Sequence, residues 1–186
     1  MEKELIKAVI NKKKSAFSIF YNEMSDHFYN FLKGSYNLSN EEINDIIAET
    51  FIKIWKNLDN YQENKGNFIA WTWTILKNTT KDYFKSKKDL AFSEIKSQDN
   101  EDFNFEDNLA DEQNIEDFLN QDYQVNTIKK ALEQLKAEEK EIIILKFSEW
   151  KDLEEIAQIL WISYANVRVK LHRSLKKLKK YLSMYK

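Results

Sequence analysis

An all-α fold is predicted by three features of the 186-residue chain: no proline, only two glycines, and apolar residues that recur at helical spacing with almost no alternating stretch. Proline and glycine punctuate turns, so their scarcity implies helices joined by short connections. No sheet is expected. With 42% apolar and 14% aromatic residues the chain can pack one medium domain or two small ones. The absence of cysteine excludes a disulfide frame and thiolate metal sites, and two isolated histidines do not make a zinc cluster; the expected compartment is the reducing cytoplasm. No apolar run exceeds four residues, as at Ile142 to Leu145, and the N-terminal MEKELIKAV lacks a signal-peptide core, so neither membrane insertion nor export is expected.

In chain order, residues 2–10 and 15–33 read as helices. Phe17, Phe20, Tyr21, Met24, Phe28, Phe31 and Leu32 form one broad apolar stripe ending at Gly34, a helix C-cap by type. His27 sits beside that stripe and reads as a packed or half-exposed ring rather than a ligand. Ser39 and Glu42 have capping-box spacing and open a helix whose buried side is Ile43, Ile46, Ile47, Thr50, Phe51, Ile54 and Leu58. Its other side carries Glu42, Asp45, Glu49, Lys53 and Lys56, with Trp55 at the boundary, and from the residues alone reads as solvated charge rather than a docking surface.

Residues 59–67, DNYQENKGN, are a polar loop. In the helix that follows, Phe68, Thr72, Ile75, Leu76, Thr79 and Tyr83 describe a core face. Trp73, Lys77, Lys81, Lys85 and Lys88 recur on another face, flanked by Trp71 and Asn78. Interleaved Trp, Asn and Lys suit a strand of nucleic acid, with bases stacking on indoles and ammonium groups taking phosphates. Tryptophan at helical spacing is equally what a core contains, and the residues alone leave the two readings level.

Residues 89–124 hold twelve Asp or Glu against one Lys, a net charge of −11, so the formal charge of −2 conceals +9 on the rest. Acidity, Asn and Gln richness and weak periodicity mark a linker, with a turn or two of helix near Asn114 to Leu119. Apolar spacing resumes at Val125 with Ile128, Leu132 and Leu135, then Ile142, Ile143 and Leu145. Asp152 and Glu155 cap a short helix of Leu153, Ile156, Ala157 and Leu160; Trp161 and Ile162 connect it to a second helix capped by Ser163. Val167 and Leu171 give that second helix its apolar side, leaving Tyr164, Asn166, Arg168, Lys170 and Arg173 around it. From Ser163 to Lys186 there are eight Lys or Arg and no acid, the footprint expected for phosphate. Two short helices, the second basic, are the pattern of a helix-turn-helix reading the major groove. No carboxylate pair, activated nucleophile, phosphate-cradling glycine loop or metal cluster points to an enzyme, and no cofactor is expected.

The strings DIIAETFIKIW and FIAWTWTILKNTTKDYFKSKK, followed after the acidic separator by ALEQLKAEEKEIIIL, EIAQIL and NVRVKLHRSLKKL, resemble the bacterial sigma factors of the extracytoplasmic-function (ECF) type in the sigma-70 family. The resemblance covers nearly the whole chain and implies two small helical domains, a region 2 bundle at 1–88 and a region 4 helix-turn-helix bundle at 125–186, joined by an acidic linker at 89–124. It implies that Asp45, Glu49, Phe51, Lys53 and Trp55 dock on core RNA polymerase, whose β′ clamp helices and β flap are the expected partners. It implies that Asn60, Tyr61, Asn67, Trp71, Trp73, Lys77, Asn78, Lys81 and Lys85 melt and hold the promoter minus-10 element. Tyr164, Asn166, Arg168, Lys170 and Arg173 would read the minus-35 element together with Ser163, while His172 and Lys176 to Lys180 meet phosphates. The linker would run through the polymerase's active-centre and RNA-exit channels, and an anti-sigma factor would hold the free protein.

Three positions depart from the family pattern. Ala48 stands where Gln is frequent, Lys136 where Pro is common, and Trp161 replaces the small residue, often Gly, at the helix-turn-helix corner. A bulky residue is disfavoured at φ > 0, so the corner is expected to be remade there. Two other classes fit parts of the chain: a stand-alone helix-turn-helix regulator, for which the second lobe suffices, and a structural helical adaptor.

Overall fold

The computed structural model describes residues 2–91 and 125–184. They form eight α-helices and no strand. The first lobe comprises α1 (Lys3–Ile10), α2 (Lys14–Ser35), α3 (Asn40–Asn57) and α4 (Phe68–Ala91), with two short 3-10 turns, Leu58–Asn60 and Glu63–Lys65, between α3 and α4. The second comprises α5 (Val125–Glu133), α6 (Ala137–Phe147), α7 (Leu153–Leu160) and α8 (Tyr164–Ser183). The helical turn expected at Asn114 to Leu119 lies outside the described residues, as does nearly all of the acidic segment. Among the described residues no helix is long and apolar enough to cross a membrane.

Helices begin where side chains satisfy the orphan backbone N–H groups of a first turn. At α3 the Glu42 N–H donates to Ser39 Oγ at 3.2 Å and the Ser39 N–H donates back to Glu42 Oε2 at 2.7 Å, closing the predicted capping box. At α7 the Glu155 N–H donates to Asp152 Oδ1 at 2.7 Å, and the Asp152 N–H to Glu155 Oε2 at 3.1 Å. Ser163 Oγ accepts from the Asn166 N–H at the start of α8. Lys136, without proline's fixed φ, still opens α6 because its N–H donates to Glu139 Oε2 at 3.0 Å.

The first core is aromatic. Phe20, Phe28 and Phe31 from α2 meet Phe51 from α3 and Phe68 and Trp73 from α4. The second core is aliphatic, and α6 explains its four-residue apolar run: Ile142, Ile143, Ile144 and Leu145 are all buried because α6 packs on α8 from one side and on α2 of the first lobe from the other. A helix apolar around most of its circumference must be covered on more than one side.

Two expectations about local geometry need correcting. Gly34 is not the C-cap of α2; it lies inside the last turn, and Tyr36 ends the helix by donating its N–H to the Leu32 carbonyl at 3.0 Å. The absence of a side chain at Gly34 serves packing instead, since a Cβ there would sit 2.7 Å from Ile144 Cδ1 of α6. The helix-turn-helix corner is not remade. Trp161 takes the left-handed conformation, φ 55° and ψ 40°, at a cost of about 1–2 kcal/mol for a residue with a Cβ. The Ile162 N–H still closes the turn onto the Ala157 carbonyl at 3.2 Å.

Candidate nucleic-acid interface

The loop before α4 is built around an aromatic corner. Tyr61 packs edge-on against Phe68 at 5.2 Å and lies 5.4 Å from Trp71, and its hydroxyl donates to the Gly66 carbonyl at 3.0 Å. Gly66, at φ 150°, adopts a conformation that side chains oppose, which lets the loop fold back on the ring. Asn67 then caps α4, its Oδ1 accepting from the Ile69 N–H at 2.8 Å.

Five of the residues singled out in the sequence, Asn60, Tyr61, Asn67, Trp71 and Asn78, line one cleft of about 700 Å³. Trp71 and Asn78 are two helical turns apart and therefore share a face. Ile75, expected in the core, lies between them on that wall. The cleft combines ring faces with carboxamides, the chemistry of a base-sized pocket: rings stack and amides pair with base edges. Its far wall comes from the second lobe, from Ala157, Gln158, Trp161 and Ile162.

Trp73 does not share this face. Two residues beyond Trp71 on a helix, it points away from the cleft and is 1% exposed, wedged between Phe28 at 5.0 Å and Phe31 at 5.2 Å. Lys151, from the α6–α7 turn, lies over its ring at 5.9 Å. The expectation that Trp73 stacks on DNA is thus corrected: it and Ile75 exchange the places the periodicity gave them. Lys77 is half-buried and does not line the cleft; its Nζ pairs with Glu141 of α6 and donates to Tyr36 Oη at 2.9 Å. Lys81 and Lys85 follow on the exposed side of α4.

On α3 the structure separates the expected polymerase-docking set. Asp45 and Glu49 are exposed, Trp55 is half-buried against Phe17 at 4.8 Å, and Lys53 is held between Glu49 at 3.0 Å and Asp82 at 3.1 Å. Phe51 is 4% exposed in the aromatic core, so its expected place on a docking surface is also corrected. Sequence reasoning missed Ile52, which is 53% exposed beside Glu49; the available signal was an isoleucine standing outside the apolar stripe.

The reading helix α8 buries Val167, Leu171, Leu175, Leu178 and Leu182. Ser163, Tyr164 and Lys176 are exposed, while Asn166, Arg168, Lys170, His172 and Arg173 are half-buried. Two of its cations are engaged by the acidic first turn of α6: Lys170 donates to Glu138 Oε2 at 2.6 Å, and Lys177 pairs with Glu139. The hydrogen bond from Lys170 holds the Glu138 carboxyl below the usual carboxylate range.

A capped, basic helix-turn-helix tied to an aromatic and amide cleft on a second helical lobe defines a two-module DNA-binding protein. Residues 20–89 match Sigma-70 region 2, and residues 126–178 match Sigma-70, region 4. The ECF RNA polymerase sigma factor SigW of Bacillus subtilis (strain 168) is 28% identical over 184 residues, 98% of this chain and 97% of that protein. SigX of the same organism is 25% identical, over 92% and 86%. In fold the chain is similar to CnrH in complex with the cytosolic domain of CnrY, with a TM-score of 0.66 at 18% identity over 97% and 96% of the two chains. It is also similar to RpoE in complex with the anti-sigma factor NepR from Bartonella quintana, at 0.61 and 20% over 88% and 96%. The chain belongs to the sigma-70 family of RNA polymerase sigma factors, in its extracytoplasmic-function branch.

Proposed function

We propose that this sigma factor works without catalysis of its own, binding core RNA polymerase in the cytoplasm and choosing promoters through two separate DNA contacts. The observation that carries the reading is the grouping of Asn60, Tyr61, Asn67, Trp71 and Asn78 around one cleft in the lobe that matches region 2. Unstacking a base costs a few kcal/mol, and a pocket that stacks and pairs with it returns roughly 1–3 kcal/mol per base. Residues 1–88 would thus open and hold the minus-10 element, with Lys81 and Lys85 along the backbone. Residues 125–186 would read the minus-35 duplex through Ser163, Tyr164, Asn166, Arg168 and Arg173, with His172 and Lys176 placing the helix on phosphates. Lys170 joins that set once it leaves Glu138.

Asp45, Glu49 and Lys53 would meet the β′ clamp helices, with Trp55 at the edge of the contact, and the second lobe would meet the β flap. The acidic segment 89–124, similar in charge to RNA, would pass through the polymerase's RNA channel. An anti-sigma factor is the expected inhibitor, by the likeness to complexes of that kind. In vitro transcription with purified core polymerase on a randomised promoter library tests the reading: starts clustered downstream of a shared two-part motif are expected, and random or absent starts would overturn it. A stand-alone regulator would instead bind duplex DNA specifically without polymerase.

A further inference from the structure

The cleft is bounded by both lobes, which meet along α2 against α6 and α4 against α7. Two buried carboxylates set the spacing of the walls: Glu141 of α6 accepts from the Tyr36 hydroxyl and from Lys77 Nζ, and Glu149 pairs through Oε2 with Nδ1 of His27 on α2 at 2.7 Å. At the loop end the backbone of Gly66 comes so near Gln158 that a Cβ there would lie 3.4 Å from its Oε1. A space of about 700 Å³ remains between the walls, the size of a small-molecule site.

Three properties of the lining together specify a guest. Among the described residues no side chain lining the cleft carries a charge, although 32% of the chain is Asp, Glu, Lys or Arg. Rings stand on both walls, Tyr61 and Trp71 on the first lobe and Trp161 on the second. Between them the loop holds amides of fixed polarity. Asn57 donates Nδ2 to the Lys53 carbonyl at 2.8 Å and accepts from Asn60 Nδ2 at 3.2 Å, which leaves Asn60 Oδ1 as an acceptor. Asn67 accepts the Ile69 N–H on Oδ1 at 2.8 Å, which leaves its Nδ2 as a donor. A neutral lining disfavours an ion, because a charge withdrawn from water needs a partner. Oriented amides disfavour a hydrocarbon, which would leave them unsatisfied. Rings on opposite walls favour a flat ring between them. We infer that the cleft is a binding site for an uncharged nucleobase or nucleoside, its ring stacked between Trp71 and Trp161 and its edge, where a donor and an acceptor adjoin, meeting Asn60 and Asn67.

Trp161 distinguishes this site from a base platform on the first lobe alone. Its left-handed backbone is one that glycine would adopt without strain, and the corner closes through the Ile162 N–H, to which the indole adds nothing. At 77% exposed the ring contributes little packing. A strained residue that serves neither the turn nor the core is expected at a binding site, and Trp161 forms the second aromatic wall of one. A base within a DNA strand carries phosphates on either side, and the described lining offers them no cation. With both walls in place the cleft therefore suits a free base or nucleoside better than a strand. A ligand that touches both lobes favours the arrangement in which they meet, and by linkage their separation expels it. Mutual exclusion between this ligand and promoter DNA rests on the reading under Proposed function; binding of the ligand does not.

Calorimetric titration of the full-length protein with adenosine, guanosine, cytidine and uridine tests the site. Saturable binding of at least one of them, one molecule per chain, is expected, and its 5′-monophosphate should bind no more tightly. The free base of the nucleoside that binds best is then titrated alone: equal affinity assigns the site to the base, and weaker binding assigns it to the nucleoside. Trp161→Gly and Trp71→Ala should each weaken binding roughly fivefold to a hundredfold, the range for loss of one stacking ring. Thermal unfolding checks that both variants fold. Trp150→Gly is the matched control, because Trp150 is 83% exposed and also left-handed, at φ 52°, but stands outside the cleft; its loss should leave affinity unchanged. No saturable binding of any of the four up to its solubility, a monophosphate that binds more tightly than its nucleoside, or equal losses from Trp150→Gly and Trp161→Gly would overturn the inference. Competition with a fluorescein-labelled single strand carrying the minus-10 motif from the promoter library separates the two readings. A nucleoside that binds as expected without displacing that strand would leave the ligand site standing and remove the cleft's assignment to promoter DNA.

Discussion

The first lobe builds its core from rings and the second from aliphatic chains, and this difference bears on what each can hold. Around Phe51 the rings of Phe17, Phe20, Tyr21 and Phe28 pack within about 6 Å, and the aromatic packing continues through Phe68 to Trp71 and Tyr61 at the surface. A base stacking on Trp71 would rest on a platform already fixed from beneath. The second lobe packs Ile142, Leu145, Ile156, Val167 and Leu171 into a smooth interior and keeps its large aromatics outside it: Trp150 and Trp161 are 83% and 77% exposed. Such a lobe supports one rigid helix against an intact groove.

The most damaging change should be Trp73→Ala. It removes a buried ring between Phe28 and Phe31 and should destabilise the first lobe by about 3–5 kcal/mol, seen by urea unfolding as early loss of that lobe while the second still melts separately. Trp71→Ala removes a half-buried ring and should cost the fold less than Trp73→Ala, while weakening binding of a minus-10 single strand by roughly 1–3 kcal/mol, measured by fluorescence anisotropy. Arg168→Ala should give a loss of similar size in a different observable: about 1–3 kcal/mol of discrimination among minus-35 duplexes, with single-strand binding untouched. If either substitution affects both DNA forms equally, the division between the lobes fails.

Smaller effects sharpen the contrast. Trp161→Gly should raise stability by about 1 kcal/mol in thermal unfolding, because glycine relieves the left-handed backbone and the indole it removes is mostly exposed. In the first lobe, hydrogen bonds from Lys87, Tyr83 and the Ser39 N–H lower the Glu42 carboxyl from 4.5 to about 2. A depressed carboxyl stabilises the fold above its unfolded pKa and loses that contribution as the pH falls through 4.5 toward 2. The difference in melting temperature between the parent protein and Glu42→Gln should therefore be present at pH 7 and vanish near pH 2.

Helix identities and caps were legible because they depend on neighbours in sequence: Ser39 with Glu42, and Asp152 with Glu155, declare their helices within four residues. The cleft was legible in part. Trp71 and Asn78 are seven residues apart, but the choice between Trp73 and Ile75 as the buried residue depended on Phe28 and Phe31, which no local pattern supplies. Phe51 was assigned to a surface by resemblance although its own periodicity placed it in the core, and the periodicity was right. Nothing in the sequence marked Gly34 as a contact rather than a cap, because Ile144 lies 110 residues further along the chain. Glu141 and Glu149 were missed for the same reason: a buried carboxylate is recognisable only once its partners are in place.

Permanganate oxidation of unpaired thymines, on a cognate promoter with polymerase carrying Trp71→Ala, tests the central division most directly. Loss of thymine reactivity around the minus-10 element, with nuclease protection of the minus-35 element retained, is the predicted result. Normal reactivity would mean that the ring platform of the first lobe has no part in opening DNA.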